Sequence, residues 1–226
     1  MIPWVHLGTA TTPGGGELRL MQRGAELSIM SGGIELMNSR LSGSEKALAT
    51  LSCERIGGRS RPRILIGGLG MGFTLRAALS ALPAEAKVDV AELVPVVVAW
   101  ARGPMAHIFE GCLEDPRVVI HEVDVADMIR AAPNAAYDAI LLDVDNGPGG
   151  LNREANDSLY QSVGLDAARK ALRPGGVLAV WSATQSSDFV RALRRSGYTV
   201  DEQRVRASGT GRGARHIIWL ATPGRS

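Results

Sequence analysis

Hydrophobic and polar positions change their rhythm near residue 60. Before it, residues 17–22, 26–30 and 34–37 are short half-alternating runs, broken by Arg23-Gly24-Ala25 and Ser31-Gly32-Gly33. This pattern predicts two to four short antiparallel strands joined by Gly-rich turns. Residues 45–53 turn Ala- and Leu-rich and predict a helix. Ser42 and Glu45 have capping-box spacing for its start, although Gly43 weakens the first turn.

Beyond Arg61 the pattern is regular. Short apolar runs at 63–67, 88–93, 117–121, 137–142 and 176–181 predict strands. Helical stretches at 73–82, 94–101, 125–131, 159–172 and 188–195 lie between or after them, with Pro95 at a first-turn position where proline is tolerated. Residues 199–204 and 216–221 complete the series as an antiparallel pair at one edge. Strand–helix alternation predicts an α/β, Rossmann-like, mostly parallel seven-stranded sheet covered on both faces, with an antiparallel C-terminal strand. The expected division is a small β appendage over 1–42 and the main domain over 43–226.

Composition sharpens the class. With 226 residues, 45% hydrophobic and 21% charged, the chain suits one α/β domain plus an appendage. The 25 basic residues, 22 of them Arg and 3 Lys, nearly balance 23 acidic ones, for a net charge of +2. That argues against a nucleic-acid clamp built on net charge. The cluster Arg204, Arg206, Arg212 and Arg215 is expected to be a solvated edge. Cys53 and Cys112 lack CxxC spacing and are expected to be buried thiols. His107 and His121 lack clustered partners, so no metal site is expected. The opening MIPWVHLGTATTPGGG has no basic n-region, and no apolar run approaches 18 residues. A cytoplasmic protein with no membrane contact is therefore expected.

The candidate chemistry lies after the strands. Residues 64–72 read ILIGGLGMG, placing Gly68, Gly70 and Gly72 in a loop between strand and helix. Glycine lets backbone turn tightly and approach a ligand. Twenty residues after Gly72, Glu92 ends the second strand, where a carboxylate can hold a ribose diol or serve as a helix-start carboxylate. Position 73 is Phe rather than the third glycine of G-x-G-x-x-G, so a nucleoside without a pyrophosphate fits better. Asp124, after the third strand, can accept from an adenine amine, cap the next helix, or do both. The fourth strand ends in LLDVDNGP. Its Asp143 and Asp145 are the catalytic candidates, Asp145 for orienting or deprotonating an acceptor and Asp143 for shaping the pocket; Asn156 and Tyr160 are weaker.

Taken in order, these segments resemble the spermidine synthase (polyamine aminopropyltransferase) family, within the class I S-adenosylmethionine-dependent methyltransferase fold. The resemblance runs over roughly residues 17–205 and includes LMQRGAELSIMSGGIELMNSR, ILIGGLGMG, VAELV, HEVDV and YDAILLDVDNGP. It implies that Gly68, Gly70 and Gly72 flank a sulfonium donor, that Glu92 holds its ribose and that Asp124 meets its adenine. It also implies a homodimer, with Trp4 a candidate contact, and a small-molecule acceptor.

Three departures stand beside it. Gly70 replaces the acid usual in the family's first loop. DVDNG replaces D-S-S-D-P, leaving Asp145 or Asn146 at the second acid position. SGSE, ending in Glu45, stands where the family has a tyrosine before its Q-E pair. An acid at position 70 would favour the amine of decarboxylated S-adenosylmethionine and repel the carboxylate of the intact donor. Its loss makes methyl transfer from S-adenosylmethionine the leading expectation. Aminopropyl transfer from decarboxylated S-adenosylmethionine to a polyamine is the alternative, and non-catalytic nucleoside binding the second alternative.

Overall fold

The computed structural model describes residues 2–144, 147–148, 158–208 and 213–224. Four strands open it: β1 (Val5–Thr11), β2 (Glu17–Arg23), β3 (Glu26–Ser31) and β4 (Ile34–Asn38), an antiparallel meander in sequence order. Gly24 and Gly32 turn it in the left-handed region, at φ 60° and 55°. Leu18, Leu20, Leu27 and Ile29 are buried, the inward face that alternation announces. Strand β1 buries no residue fully, which is why no apolar rhythm marked it.

Helix α1 (Gly43–Arg55) follows. Ser42 occupies its N-cap position but its side chain makes no capping bond, so the expected capping box does not form. Asn38 turns the chain instead, its Oδ1 accepting from the N–H groups of Arg40 and Leu41, each at 3.0 Å. Glu45 is bonded by Ser44, whose Oγ donates to Oε2 at 2.7 Å.

The second sheet has seven strands: β5 (Arg63–Gly67), β6 (Lys87–Ala91), β7 (Val118–His121), β8 (Tyr137–Leu142), β9 (Leu172–Ser182), β10 (Tyr198–Arg206) and β11 (Arg215–Pro223). Their order is β10-β11-β9-β8-β5-β6-β7. Strands β5 to β9 pair in parallel, while β11 runs antiparallel to both β9 and β10, as expected. Helices α2 (Phe73–Ala81), α3 (Pro95–Arg102), α4 (Ala106–Phe109), α5 (Val125–Ala131), α6 (Ser162–Ala171) and α7 (Ser187–Arg195) are distributed along it. Short α4 carries too little periodicity to be legible in sequence.

Alternate residues of β5 enter opposite cores. Ile64 and Ile66 join Leu48, Leu75 and Val98 with the appendage leucines. Leu65 joins Ile129, Leu165 and Leu193 on the other side. Trp100 and Trp219 are buried in these clusters, and Trp181 is half-buried. Of the two free cysteines Cys112 is buried, but Cys53 is only half-buried, a correction to the expectation for that thiol. Burial pushes both thiols up to about 11.

Near the amino ends of the strands, Asp138 is fully buried. It accepts from Arg59 Nη1, from the Arg63 backbone N–H at 2.6 Å and from Arg173 Nη1 at 2.7 Å. Asp138→Ala is expected to cost about 2–3 kcal/mol. This is below the value for a fully buried pair because the two guanidiniums can rehydrate. Urea unfolding should show a lower midpoint, and an unchanged one would make this carboxylate dispensable.

Candidate functional site

Sheet order reverses at β5: the chain proceeds outward to β6 and β7, then returns to place β8 on the other side. Such a switch opens a crevice beyond the carboxyl ends of the strands. Here it is a cavity of about 730 Å³. Its lining includes Gly68, Gly70, Glu92, Asp124 and Asp143, five of the seven site residues expected from sequence. The β1–β2 turn and Leu18, Ile29, Leu36 and Met37 of the appendage form its other wall.

Gly68 and Gly70 are glycines for different reasons. Gly68 has φ 90°, and a Cβ there would lie 2.3 Å from the carbonyl oxygen of Asp143. The loop can therefore close on the end of β8 only without a side chain. At Gly70 a Cβ would lie 3.3 Å from Met37 Sδ, so a side chain would enter the cavity against the appendage. Gly72 does not line the cavity. It is the N-cap of α2 at φ 76°, with a Cβ 2.5 Å from the Phe109 ring, so its glycine is required by packing.

Glu92 is buried at the end of β6. Its Oε2 accepts from Leu69 N–H and its Oε1 from Val94 N–H, both at 2.9 Å. The carboxylate thus braces the glycine loop and starts the next segment while facing the cavity. Asp124 is the N-cap of α5, its Oδ1 accepting from Ala126 N–H at 2.8 Å, and it too lines the cavity. The capping reading and the cavity position hold together.

Asp143 keeps accessible surface toward the cavity but is closely packed by protein. Burial, then the charge of Glu45, pushes its carboxyl up to about 7 against the opposing hydrogen bond from Thr74 Oγ1, at 2.7 Å. Glu45 is raised as well, chiefly by burial. Sequence reasoning missed this partner: the family-specific tyrosine position drew attention to SGSE, but nothing local predicts that α1 carries Glu45 to β8. Asp145 and Asn156 lie outside the described residues. Tyr160 is buried with its ring edge-on to Phe189, centroids 5.5 Å apart, which is packing. Among the described lining residues there are three carboxylates and no Lys, Arg or His.

No protein-family model matches the chain. A spermidine synthase of Coffea arabica is 34% identical over 119 residues, 53% of this chain and 35% of that protein. A putrescine N-methyltransferase of Nicotiana tabacum is 37% identical over 116 residues, 51% of this chain and 28% of that protein. A polyamine aminopropyltransferase of Mycobacterium tuberculosis is 30% identical over 151 residues, 63% of this chain and 28% of that protein. The matched stretch therefore spans about a third of these curated relatives or less. Among solved structures, the spermidine synthase of Thermotoga maritima superposes with TM-score 0.75 at 18% identity, covering 98% of this chain and 74% of that one. A spermidine synthase in complex with the transition state analogue AdoDATO gives 0.74 at 18% identity, covering 98% and 73%. The resemblance to spermidine synthases and the Rossmann-like fold are both borne out.

The raised Asp143 carboxyl has a thermodynamic consequence. Its folded value near 7 exceeds the ordinary 3.8, so the folded state holds a proton that the unfolded chain releases earlier. Asp143 therefore adds no cost below about pH 4, a growing cost up to about pH 7 and a constant one above. Asp143→Asn is expected to melt higher than wild type at pH 8, with the difference closing towards pH 4. Thermal melts across this range test it; a pH-independent difference would contradict the assigned proton affinity.

Proposed function

We propose that the chain is a transferase that uses an adenosyl sulfonium donor and a small amine acceptor. One observation carries this reading: the cavity at the strand-order reversal presents the three carboxyl groups of Glu92, Asp124 and Asp143 together with the glycine loop. A sulfonium and an ammonium are cations, and carboxylates offset the cost of withdrawing them from water. In this reading Gly68 and Gly70 flank the donor, Glu92 holds its ribose, and Asp124 faces its adenine, while Asp143 meets the reacting end.

Of the two transfers, aminopropyl transfer is better supported than methyl transfer, the leading expectation from sequence. A spermidine synthase and a polyamine aminopropyltransferase are among the relatives. The amine nitrogen would attack the aminopropyl carbon beside sulfur, forming C–N and breaking C–S. Methylthioadenosine would leave, and the ammonium proton would pass to a carboxylate. Asp145 is the proposed orienting or proton-accepting group, with Asp143 shaping the pocket beside it. The protein's main contribution would be alignment and exclusion of water.

Methyl transfer is the second reading, favoured by Gly70. The acid that would hold a donor amine is missing there, and Met37 faces the position. Putrescine N-methyltransferases are also among the relatives.

Calorimetry separates the possibilities. Decarboxylated S-adenosylmethionine is expected to bind at least tenfold more tightly than the intact donor, about 1.4 kcal/mol. Equal or reversed affinities would move the assignment to methyl transfer. Gly70→Asp should further favour the decarboxylated donor.

Methylthioadenosine is expected to bind the wild type, and Glu92→Ala should weaken it by about 1.5–3 kcal/mol. Circular dichroism would establish that the variant keeps its fold, because Glu92 also braces Leu69 and Val94. Unchanged affinity in folded protein would remove Glu92 from the donor site.

A further inference from the structure

A second group of polar side chains lies behind the cavity wall. Ser44, fully buried in the first turn of α1, has two side-chain partners. Its Oγ lies 2.7 Å from Glu45 Oε2 and 2.8 Å from His216 Nδ1 of β11. A hydroxyl has one proton to give. The carboxylate can only accept while ionised, so the Ser44 proton points to Glu45 and His216 Nδ1–H donates to Ser44. The network thus assigns the His216 tautomer. The His216 ring stands edge-on to Trp181, centroids 4.7 Å apart at 74°, which fixes its plane. None of Ser44, Glu45 and His216 lines the cavity.

We propose that Ser44 and His216 are positioning residues that set the proton affinity of Asp143 from outside the cavity, by holding Glu45 as an anion beside it. The inference deepens the transferase reading but rests on it only where reaction rates are measured. A tie between α1 and β11 that served stability alone would leave the ionisation of Asp143 untouched.

The direction follows from the groups that act on the two acids. Burial raises Glu45, whereas the Ser44 hydrogen bond and the Lys46 charge favour its anion. Burial and the Glu45 charge raise Asp143, opposed by Thr74. Burial lowers His216, which disfavours its cation. Thr74 of α2 stands between the two acidic residues, its Oγ1 3.4 Å from the Glu45 carbonyl oxygen and 2.7 Å from Asp143 Oδ2, while β11 brings His216 to Ser44. Asp201 of β10 is engaged by Arg55 at the far end of the helix, at 2.6 Å. Removing the Ser44 donor should therefore leave Glu45 protonated to higher pH, and Asp143 should then ionise at lower pH because its neighbour is neutral.

The test is carboxyl-selective carbon-13 NMR of Asp- and Glu-labelled full-length protein, with Asp143→Asn and Glu45→Gln used to assign the two resonances. In Ser44→Ala the Asp143 midpoint should fall by about half a unit or more and the Glu45 midpoint should rise. His216→Leu should move both the same way by less, and His216→Asn, whose amide can occupy the Nδ1 position, should restore the wild-type values. Wild-type midpoints in both Ser44→Ala and His216→Leu would overturn the proposal. The two substitutions are on different elements, so misfolding of one leaves the other decisive. If transfer activity is found, the acidic limb of its pH–rate profile should follow the Asp143 midpoint in each variant. Moving resonances without transfer would retain the coupling and count against the transferase reading. A profile that stays fixed while the midpoint moves would overturn the kinetic part of the proposal.

Discussion

The approach of Gly68 to the Asp143 carbonyl is the constraint on which the site depends. Gly68 N–H donates to Ala91 O at 2.8 Å and Asp143 N–H to Gly67 O at 2.9 Å, so the ends of β5, β6 and β8 are joined at one place. A Cβ at position 68 would sit 2.3 Å from the Asp143 oxygen. Any other residue would have to push the glycine loop away from β8, and Glu92 would lose its reach to Leu69 N–H. The loop, the acid after β6 and the acid after β8 therefore belong to one packing solution. The cavity is the space left above it.

Charge is organised differently along the sheet. Near the amino ends, Asp138 is compensated by Arg59 and Arg173, and Asp89 is held by Arg63 Nε at 3.0 Å. Around the cavity the described bonds to the acids include neutral donors: Thr74 to Asp143, backbone N–H groups to Glu92 and Asp124. A neutral donor steadies a carboxylate without cancelling its charge. These bonds do not themselves compensate the carboxylate charge, whereas the Arg59 and Arg173 guanidiniums compensate that of Asp138.

Much of this was legible because the signals are local. The order of strands and helices, the antiparallel final pair and the residues Gly68, Gly70, Glu92, Asp124 and Asp143 each follow from a short window at a strand end. Failures arose where contacts span the chain. Gly72 looked like a third loop glycine, yet Phe109 is what excludes a side chain there. Ser42 and Glu45 matched a capping box, but Asn38 turns the chain and Ser44 takes the carboxylate. His216 lies 172 residues from Ser44, and no periodicity could join them.

Helix α1 links these two kinds of information. Leu48, Ala49 and Ser52 face inward and seat it on the core. Its first residue donates through Gly43 N–H to Ala207 O at 2.8 Å, and its last pairs through Arg55 with Asp201 at 2.6 Å. Both anchors belong to the end of β10 or its body, so the final hairpin holds the helix at each end. The helix cannot slide along its axis without breaking one of them, and a slide of one residue would carry Glu45 about 1.5 Å along that axis. Two half-buried carboxyl groups respond to such a change, because their repulsion varies inversely with separation and is screened less than at the open surface. In the coupling proposed above, the hairpin that closes the sheet edge thus also bears on the electrostatic environment of Asp143, on the opposite side of β9.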